Sequence, residues 1–149
     1  MREFVVIDAS VAVKWVVPEE ETDLARKLYG DAQGSDTTLL VPPHFSIEVT
    51  NALRKKTWRD EITPVDATQA LQTFLDFTFS MAEPPGLYQR ALQLANLYNR
   101  RAVYDSHYVA LAAIFGCDFW TADSNLVNVM ASDMPFIRLL KNYEKETPK

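Results

Sequence analysis

A chain of 149 residues, 48% hydrophobic and 23% charged, has enough apolar material for one globular domain with a real core, which excludes a disordered or fibrous class. Its single cysteine, Cys117, excludes an internal disulfide and a Cys-rich zinc site. The net charge of −5 excludes nucleic-acid attraction by a global positive field, so any polyanion has to be met by local cations.

The first element, "EFVVID" (3–8), is a β-rich apolar run that is continuous rather than alternating, the pattern of a strand buried on both faces. It ends in Asp8. A carboxylate there is costly unless a cation meets it or the strand opens into a wet cleft. The run is too short for a secretory leader and no small-residue cleavage pattern follows, so a cytoplasmic protein is expected. "ASVAVKWVV" (9–17) reads as a short helix closed by Pro18. "PEEETDLARKLYGDA" (18–32) reads as a second helix, opened by proline and three glutamates and ending near Gly34. A loop is expected over "GDAQGSDTT" (30–38), then a second strand, "TTLLVP" (37–42).

Pro43 begins a helix, "PHFSIEVTNALRKKTWR" (43–59), with Phe45, Val49, Ala52 and Leu53 on one side. "TPVDATQALQTFLDF" (63–77) has a Thr-Pro start and a helical period. "TFSMAE" (78–83) is a third strand, and "PGLYQRALQLANLYNR" (85–100) is a helix. "VYDSHYVALAAIFG" (103–116) is another, stopped by Gly116. "CDFWTA" (117–122) is a fourth strand, "DSNLVNVMAS" (123–132) a helix and "MPFIRLL" (134–140) a last strand. The longest late apolar run, "VALAAIF" (109–115), is far short of a membrane span. With no internal repeat, one domain over 1–141 is expected, with a tail over 142–149 that frays at "KETPK".

Strands alternating with helices point to an α/β fold, a mostly parallel central sheet of four to five strands flanked by helices on both sides. Ligands of such sheets bind beyond the carboxyl ends of the strands. Four acids collect at that edge: Asp8 ends the first strand, Glu48 lies one turn into the helix after the second, Asp105 begins "DSHYVALAAIFG", and Asp123 follows "CDFWTA". Helix capping alone would account for Asp105 or Asp123 taken singly. Glu48 has a solvated-face alternative, although Phe45, Ile47 and Val49 are its neighbours. Asp8 has the weakest bland explanation. Converging carboxylates raise each other's pKa unless a cation is present. Carboxylates without His or Cys favour Mg²⁺ or Mn²⁺ over zinc, and such a site suits phosphoryl transfer with in-line displacement by water.

"VIDASVAVKW", "FSIEVTNAL", "YDSHYVALA" and "TADSNL", in that order, resemble the PIN-domain nucleases, and among them the VapC toxins of VapBC toxin–antitoxin pairs. The resemblance covers nearly the whole chain. It implies a PIN-like fold, Mg²⁺ (or Mn²⁺) and endoribonuclease activity on RNA. Residue by residue, it makes Asp8, Glu48, Asp105 and Asp123 the acidic quartet and metal site, Glu48 through a water, with Ser10, Asn51 and Thr121 as polar support. Where many relatives carry a further acid after the last motif, this chain has Ser124 and Asn125, so a second metal would be held less tightly. A small antitoxin and a homodimer are implied as partners. The antitoxin tail lies over a groove near the site, with Trp15 and Leu28 as candidate contacts and core packing as the default for both.

The run "RKKTWR" (54–59) reads first as a solvated helix end whose cations suit the negative end of the dipole. The alternative is guidance of RNA phosphates, with Trp58 as a stacking surface. Arg100 and Arg101 carry the same ambiguity just before Asp105. His44 and His107 lack cluster spacing and read as structural. Trp15, Phe45, Phe74 and Phe77 read as core or partner-facing. A haloacid-dehalogenase-type phosphatase is disfavoured because Ser10 stands where it needs a second Asp, and a receiver domain because adjacent acids after the first strand are absent. A stand-alone RNA-processing PIN nuclease and a catalytically silent RNA-binding or scaffold PIN module remain as alternatives to a toxin.

Overall fold

The computed structural model describes residues 3–146. Five strands, β1 (Glu3–Ile7), β2 (Thr37–Val41), β3 (Ser80–Met81), β4 (Asp118–Thr121) and β5 (Ile137–Leu139), form one sheet in the order β3-β2-β1-β4-β5. Every neighbouring pair is parallel. The helices are α1 (Ala9–Val16), α2 (Thr22–Gly34), α3 (Phe45–Trp58), α4 (Pro64–Leu75), α5 (Leu87–Leu97), α6 (Tyr104–Phe115), α7 (Ser124–Met130) and α8 (Tyr143–Glu146). α1 packs on α2, α3 and α4, while α5 pairs with α6. Right-handed crossovers, the rule for parallel units, set α1–α4 on one face and α5–α7 on the other. This is the expected parallel α/β sheet. No helix among the described residues is long and apolar enough to cross a membrane.

Continuous apolar strands follow from burial on both faces. Val6, Ile7 and Phe119 are fully buried, and each such side chain contributes on the order of 2 kcal/mol by leaving water. From β1 the chain moves outward to β2 and β3, then crosses back to β4 and β5. The strand order therefore switches between β1 and β4, where the pairing Ile7↔Trp120 sets Asp8 beside Thr121. A cleft opens at such a switch point because the flanking connections leave in opposite directions.

Several expectations are corrected. The three glutamates do not start α2; it begins at Thr22, whose Oγ1 accepts from the Glu19 N–H at 2.9 Å, and Glu21 adopts a left-handed φ of 68°. The reason is Lys14, a buried cation that would be costly unpaired. Its Nζ donates to the Glu20 carbonyl at 2.6 Å and lies 3.4 Å from Glu19 and 3.9 Å from Glu21. The expected loop over 30–38 is largely helix, since α2 runs to Gly34 and β2 starts at Thr37. β3 is only two residues long, and α3 begins at Phe45, just after Pro42 and Pro43. Trp15 and Leu28, 2% and 3% exposed, follow the default reading of core packing and not the partner-facing alternative. Trp15 stacks on Phe77 with ring centres 4.7 Å apart, and its Nε1 donates to the Ala25 carbonyl. Phe45 and Phe74 are buried as well. Tyr143, assigned to the tail from sequence, is buried and packs edge-on against Trp120. Of "KETPK", residues 147–149 lie outside the described residues.

Candidate active site

The β1 strand delivers Asp8 as the N-cap of α1, with extended backbone and Oδ1 accepting from the Val11 N–H at 3.4 Å. Two hydroxyls clamp the carboxylate: Ser10 Oγ donates to Oδ1 and Thr121 Oγ1 to Oδ2, each at 2.5 Å. The hydroxyls are anchored in turn. Ser10 Oγ accepts from the Ala122 N–H at 3.0 Å, and Thr121 Oγ1 accepts from the Asp123 N–H at 3.1 Å. A relay of donors thus runs from the backbone after β4 into Asp8, each bond polarising the next. Even so, burial dominates and pushes the Asp8 carboxyl from 3.8 up to about 7; the hydroxyls pull it down and the charge of Asp105 adds to the rise.

Asp123 caps α7, accepting from the Leu126 N–H at 3.2 Å. Asp105 sits in the first turn of α6 but is not its cap. Burial raises the Asp105 pKa, the charges of Asp123 and Glu48 raise it further, and Arg100, 3.4 Å away, works against them. Glu48 occupies the first turn of α3 and reaches across to α6, where Tyr108 Oη donates to Oε1 at 2.6 Å. His44 Nε2 lies 3.2 Å from the same oxygen. Burial alone would push the Glu48 carboxyl up, but the bonds from His44 and Tyr108 outweigh it and hold it below the usual range.

The four acids therefore share one electrostatic environment at one edge. Asp8 feels Asp105, and Asp105 feels Asp123 and Glu48. Each is nonetheless held by partners of its own: hydroxyls for Asp8, Arg100 for Asp105, a helix N–H for Asp123, Tyr108 and His44 for Glu48. Accordingly, among the described residues no three His, Cys, Asp or Glu side chains stand close enough together to hold a metal ion. The donor chemistry still suits a hard divalent cation. All four groups are oxygen donors of like charge, and among the described residues Asp8 Oδ2 accepts one hydrogen bond, from Thr121, where a carboxylate oxygen has room for more.

Asn51 is exposed on α3 and shares a groove with Ser10 and Glu48. His107 is buried and its Nδ1 donates to the Val103 carbonyl at 2.8 Å, a structural role. Two contributors escape a reading of the sequence. Tyr108 stands in one of the quoted motifs, yet nothing local marks it as a partner for a residue sixty positions away. His44 lies four residues before Glu48, a helical spacing that could have marked the pair, whereas its contact with the Tyr104 carbonyl needs α3 and α6 together.

A family model for the PIN domain matches residues 5–131. Similar curated proteins include a VapC ribonuclease of Mycobacterium bovis and the ribonuclease VapC9 of Mycobacterium tuberculosis. Each is 30% identical over 132 residues, covering 88% of this chain and 94% of the relative. The ribonuclease VapC12 of M. tuberculosis is 31% identical over 123 residues, covering 82% and 88%. Among solved structures, PAE2754 from Pyrobaculum aerophilum aligns with a TM-score of 0.67 at 20% identity, covering 95% of this chain and 94% of that one. VapC20 of M. tuberculosis, described as a Sarcin-Ricin loop cleaving toxin, aligns with a TM-score of 0.61 at 13% identity, covering 90% and 98%. At those identities the two structures speak for the fold alone.

Proposed function

The chain belongs to the PIN-domain family, and from that premise we propose that it is a divalent-metal-dependent endoribonuclease, hydrolysing RNA phosphodiester bonds as the toxin of a type II toxin–antitoxin pair. The observation that carries the reading is Asp8. A carboxyl at the β1–β4 switch point, clamped by two hydroxyls and still pushed up to about 7, is short of positive charge. Asp8, Asp105 and Asp123 are the residues that would hold Mg²⁺ or Mn²⁺, in part through waters since among the described residues no three acids stand close enough to hold it alone, with Glu48 holding one of those waters. When bound, such an ion neutralises charge on a phosphodiester and makes water a better nucleophile at neutral pH.

The chain's own groups do the rest. Ser10 and Thr121 fix both oxygens of Asp8 and so its orientation. Arg100 restrains Asp105 at the cleft edge. Glu48, held as an anion by Tyr108 and His44, is available to accept a hydrogen bond from a water and so orient it. The family relationship further supports a small antitoxin partner, a homodimer and a cytoplasmic setting.

The test is cleavage of single-stranded RNA with Mg²⁺ or Mn²⁺, together with the melting temperature against metal concentration. A ligand that binds only the folded state raises Tm by mass action, so both activity and Tm are expected to rise with metal. RNA left intact at a Tm that does respond would refute the nuclease. A Tm indifferent to millimolar Mn²⁺ would refute the metal site. Growth arrest on expression, relieved by an adjacent small protein, is expected of a toxin. Harmless overexpression of an active protein would assign it to RNA processing instead.

A further inference from the structure

We propose that the groove running from Glu48 along α3 binds the RNA backbone on one side of the scissile bond, with Lys55 and Arg59 contacting its phosphates. This rests on the nuclease reading and adds where the substrate strand lies. The groove has a volume of ≈ 360 Å³, and its lining includes Ser10, Glu48, Asn51, Lys55, Arg59 and Ala122. Ser10 and Ala122 belong to the clamp on Asp8, so the groove is continuous with the acidic edge.

Helix geometry makes it a track. Glu48, Lys55 and Arg59, the last at the C-cap, are seven and then four residues apart, so they follow one line along α3, with the backbone positions of the two cations about 6 Å apart along its axis. Asn51 and Ala52 lie between them on the same side. Arg54, outside this line, lies over the Trp58 ring instead, 5.4 Å from its centre.

The cations at the groove are not equivalent. Lys14 is held by Glu19, Glu21 and the Glu20 carbonyl, and Lys56 by Glu19 at 2.6 Å. Those two charges are neutralised within the protein and form a wall. Lys55 and Arg59 are exposed, and their side chains have no hydrogen-bond or ion-pair partner among the described residues. In a chain of net charge −5, two free cations in a groove leading away from a carboxylate edge complement a polyanion whose reacting phosphate is held at that edge. Compensation of the helix dipole would be served by cations on any side of α3. It does not account for the free pair lying on the Glu48 side.

The probe is a labelled single-stranded RNA of about 20 nucleotides, titrated by fluorescence anisotropy with Mg²⁺ against an Asp8→Asn parent that does not consume it. Adding Lys55→Gln and Arg59→Gln is expected to weaken binding and to reduce the slope of log Kd against log salt by about 1.4, or about 0.7 per phosphate contact. The deficit of the double variant then shrinks about sevenfold between about 50 and 200 mM KCl. Lys27→Gln, on α2, removes one charge elsewhere and is expected to leave the slope alone. An unchanged slope in a double variant folded by circular dichroism overturns the proposal, as does an equal change from Lys27→Gln. A poly-glutamate peptide bound as tightly as the RNA, with the same dependence on both residues, would assign the groove to an acidic protein segment. Cleavage by the unmodified protein is read separately. Activity with an unaltered slope removes the groove alone, and inactivity removes the nuclease reading whatever the slope.

Discussion

On the strand side of the acidic edge, Asp8 is 7% exposed, bonded to two neutral hydroxyls, and pushed up to about 7. On the helix side, Glu48 bridges α3 to α6 and is held below the usual carboxylate range by His44 and Tyr108. Burial acts upward on both groups. At Asp8 it wins, because hydroxyl bonds return only part of the lost hydration. At Glu48, less deeply placed, the donors win. The strand half therefore lacks positive charge that a proton or a metal ion can supply, whereas the helix half is already satisfied as an anion. One half is suited to binding a cation and the other to orienting a water as a fixed anionic acceptor.

The sharpest way to break this comparison is Asp8→Asn. The amide keeps the shape and one oxygen but removes the charge. Cleavage is expected to fall at least about a thousandfold, a rise of about 4 kcal/mol in the barrier, with the circular dichroism spectrum retained. Full activity in the folded variant would end the case for Asp8.

The same substitution in metal-free buffer tests the protonation difference. Between about pH 4 and 7 the folded protein holds a proton on Asp8 that the unfolded chain has released. Stability from this group is therefore present at low pH and lost as pH rises toward 7. Asp8→Asn carries no such loss. Its stability relative to the unmodified protein is expected to climb from pH 4 to 8 by an amount on the order of 4 kcal/mol. Parallel melting curves across that range would show that Asp8 titrates normally.

How much of this is legible in the sequence depends on distance along the chain. The parallel sheet is, because apolar runs alternate with helical periods. Asp8 and Asp123 are as well, because each directly follows a strand. Their capping roles are less so: Asp105, which looks like a cap, is not one, and Asp8 is. The start of α2 is misread because its glutamates answer to Lys14, whose burial is a tertiary fact. Trp15 is ambiguous until Phe77 stacks on it. The partners that tune the site, Thr121 for Asp8 and Tyr108 for Glu48, stand 113 and 60 residues away, so only the fold joins them. Free and neutralised cations along α3 look alike until Glu19 is seen to take Lys56.

Thr121→Val probes the clamp next. The hydroxyl is fully buried and serves twice, donating to Asp8 and accepting from the Asp123 N–H. Its loss leaves a buried carboxylate oxygen and a backbone donor unpaired, a cost of about 1–3 kcal/mol read as a lower Tm. Asp8 then loses a bond that favours its charged form, so the pH window of its stability effect moves upward. Ser10→Ala, at a less buried hydroxyl, is expected to cost less. Equal melting temperatures for Thr121→Val and the unmodified protein would show the relay to be incidental.

The smallest effects separate the two donors on the helix side. Tyr108 Oη has Glu48 as its hydrogen-bond acceptor, at 2.6 Å. His44 Nε2 divides its reach between Glu48 at 3.2 Å and the Tyr104 carbonyl at 3.1 Å. The ring's contact with Glu48 is the longer one and is shared with the carbonyl, whereas the phenol bond is short and undivided. Tyr108→Phe is therefore expected to lower the rate about tenfold, the effect of losing one charge-assisted bond of about 1.5 kcal/mol. It also raises the Glu48 pKa. Because ionised Glu48 is the useful form, the acid limb of kcat/KM moves to higher pH, and the stability Glu48 contributes above its unfolded pKa is lost earlier as pH falls. His44→Ala is expected to keep the rate within about tenfold and to move the limb less. The pH–rate profiles of both variants decide the order. If His44→Ala shifts the acid limb further than Tyr108→Phe, the imidazole is the donor that holds Glu48 ionised, and the helix half depends on the ring rather than on the phenol.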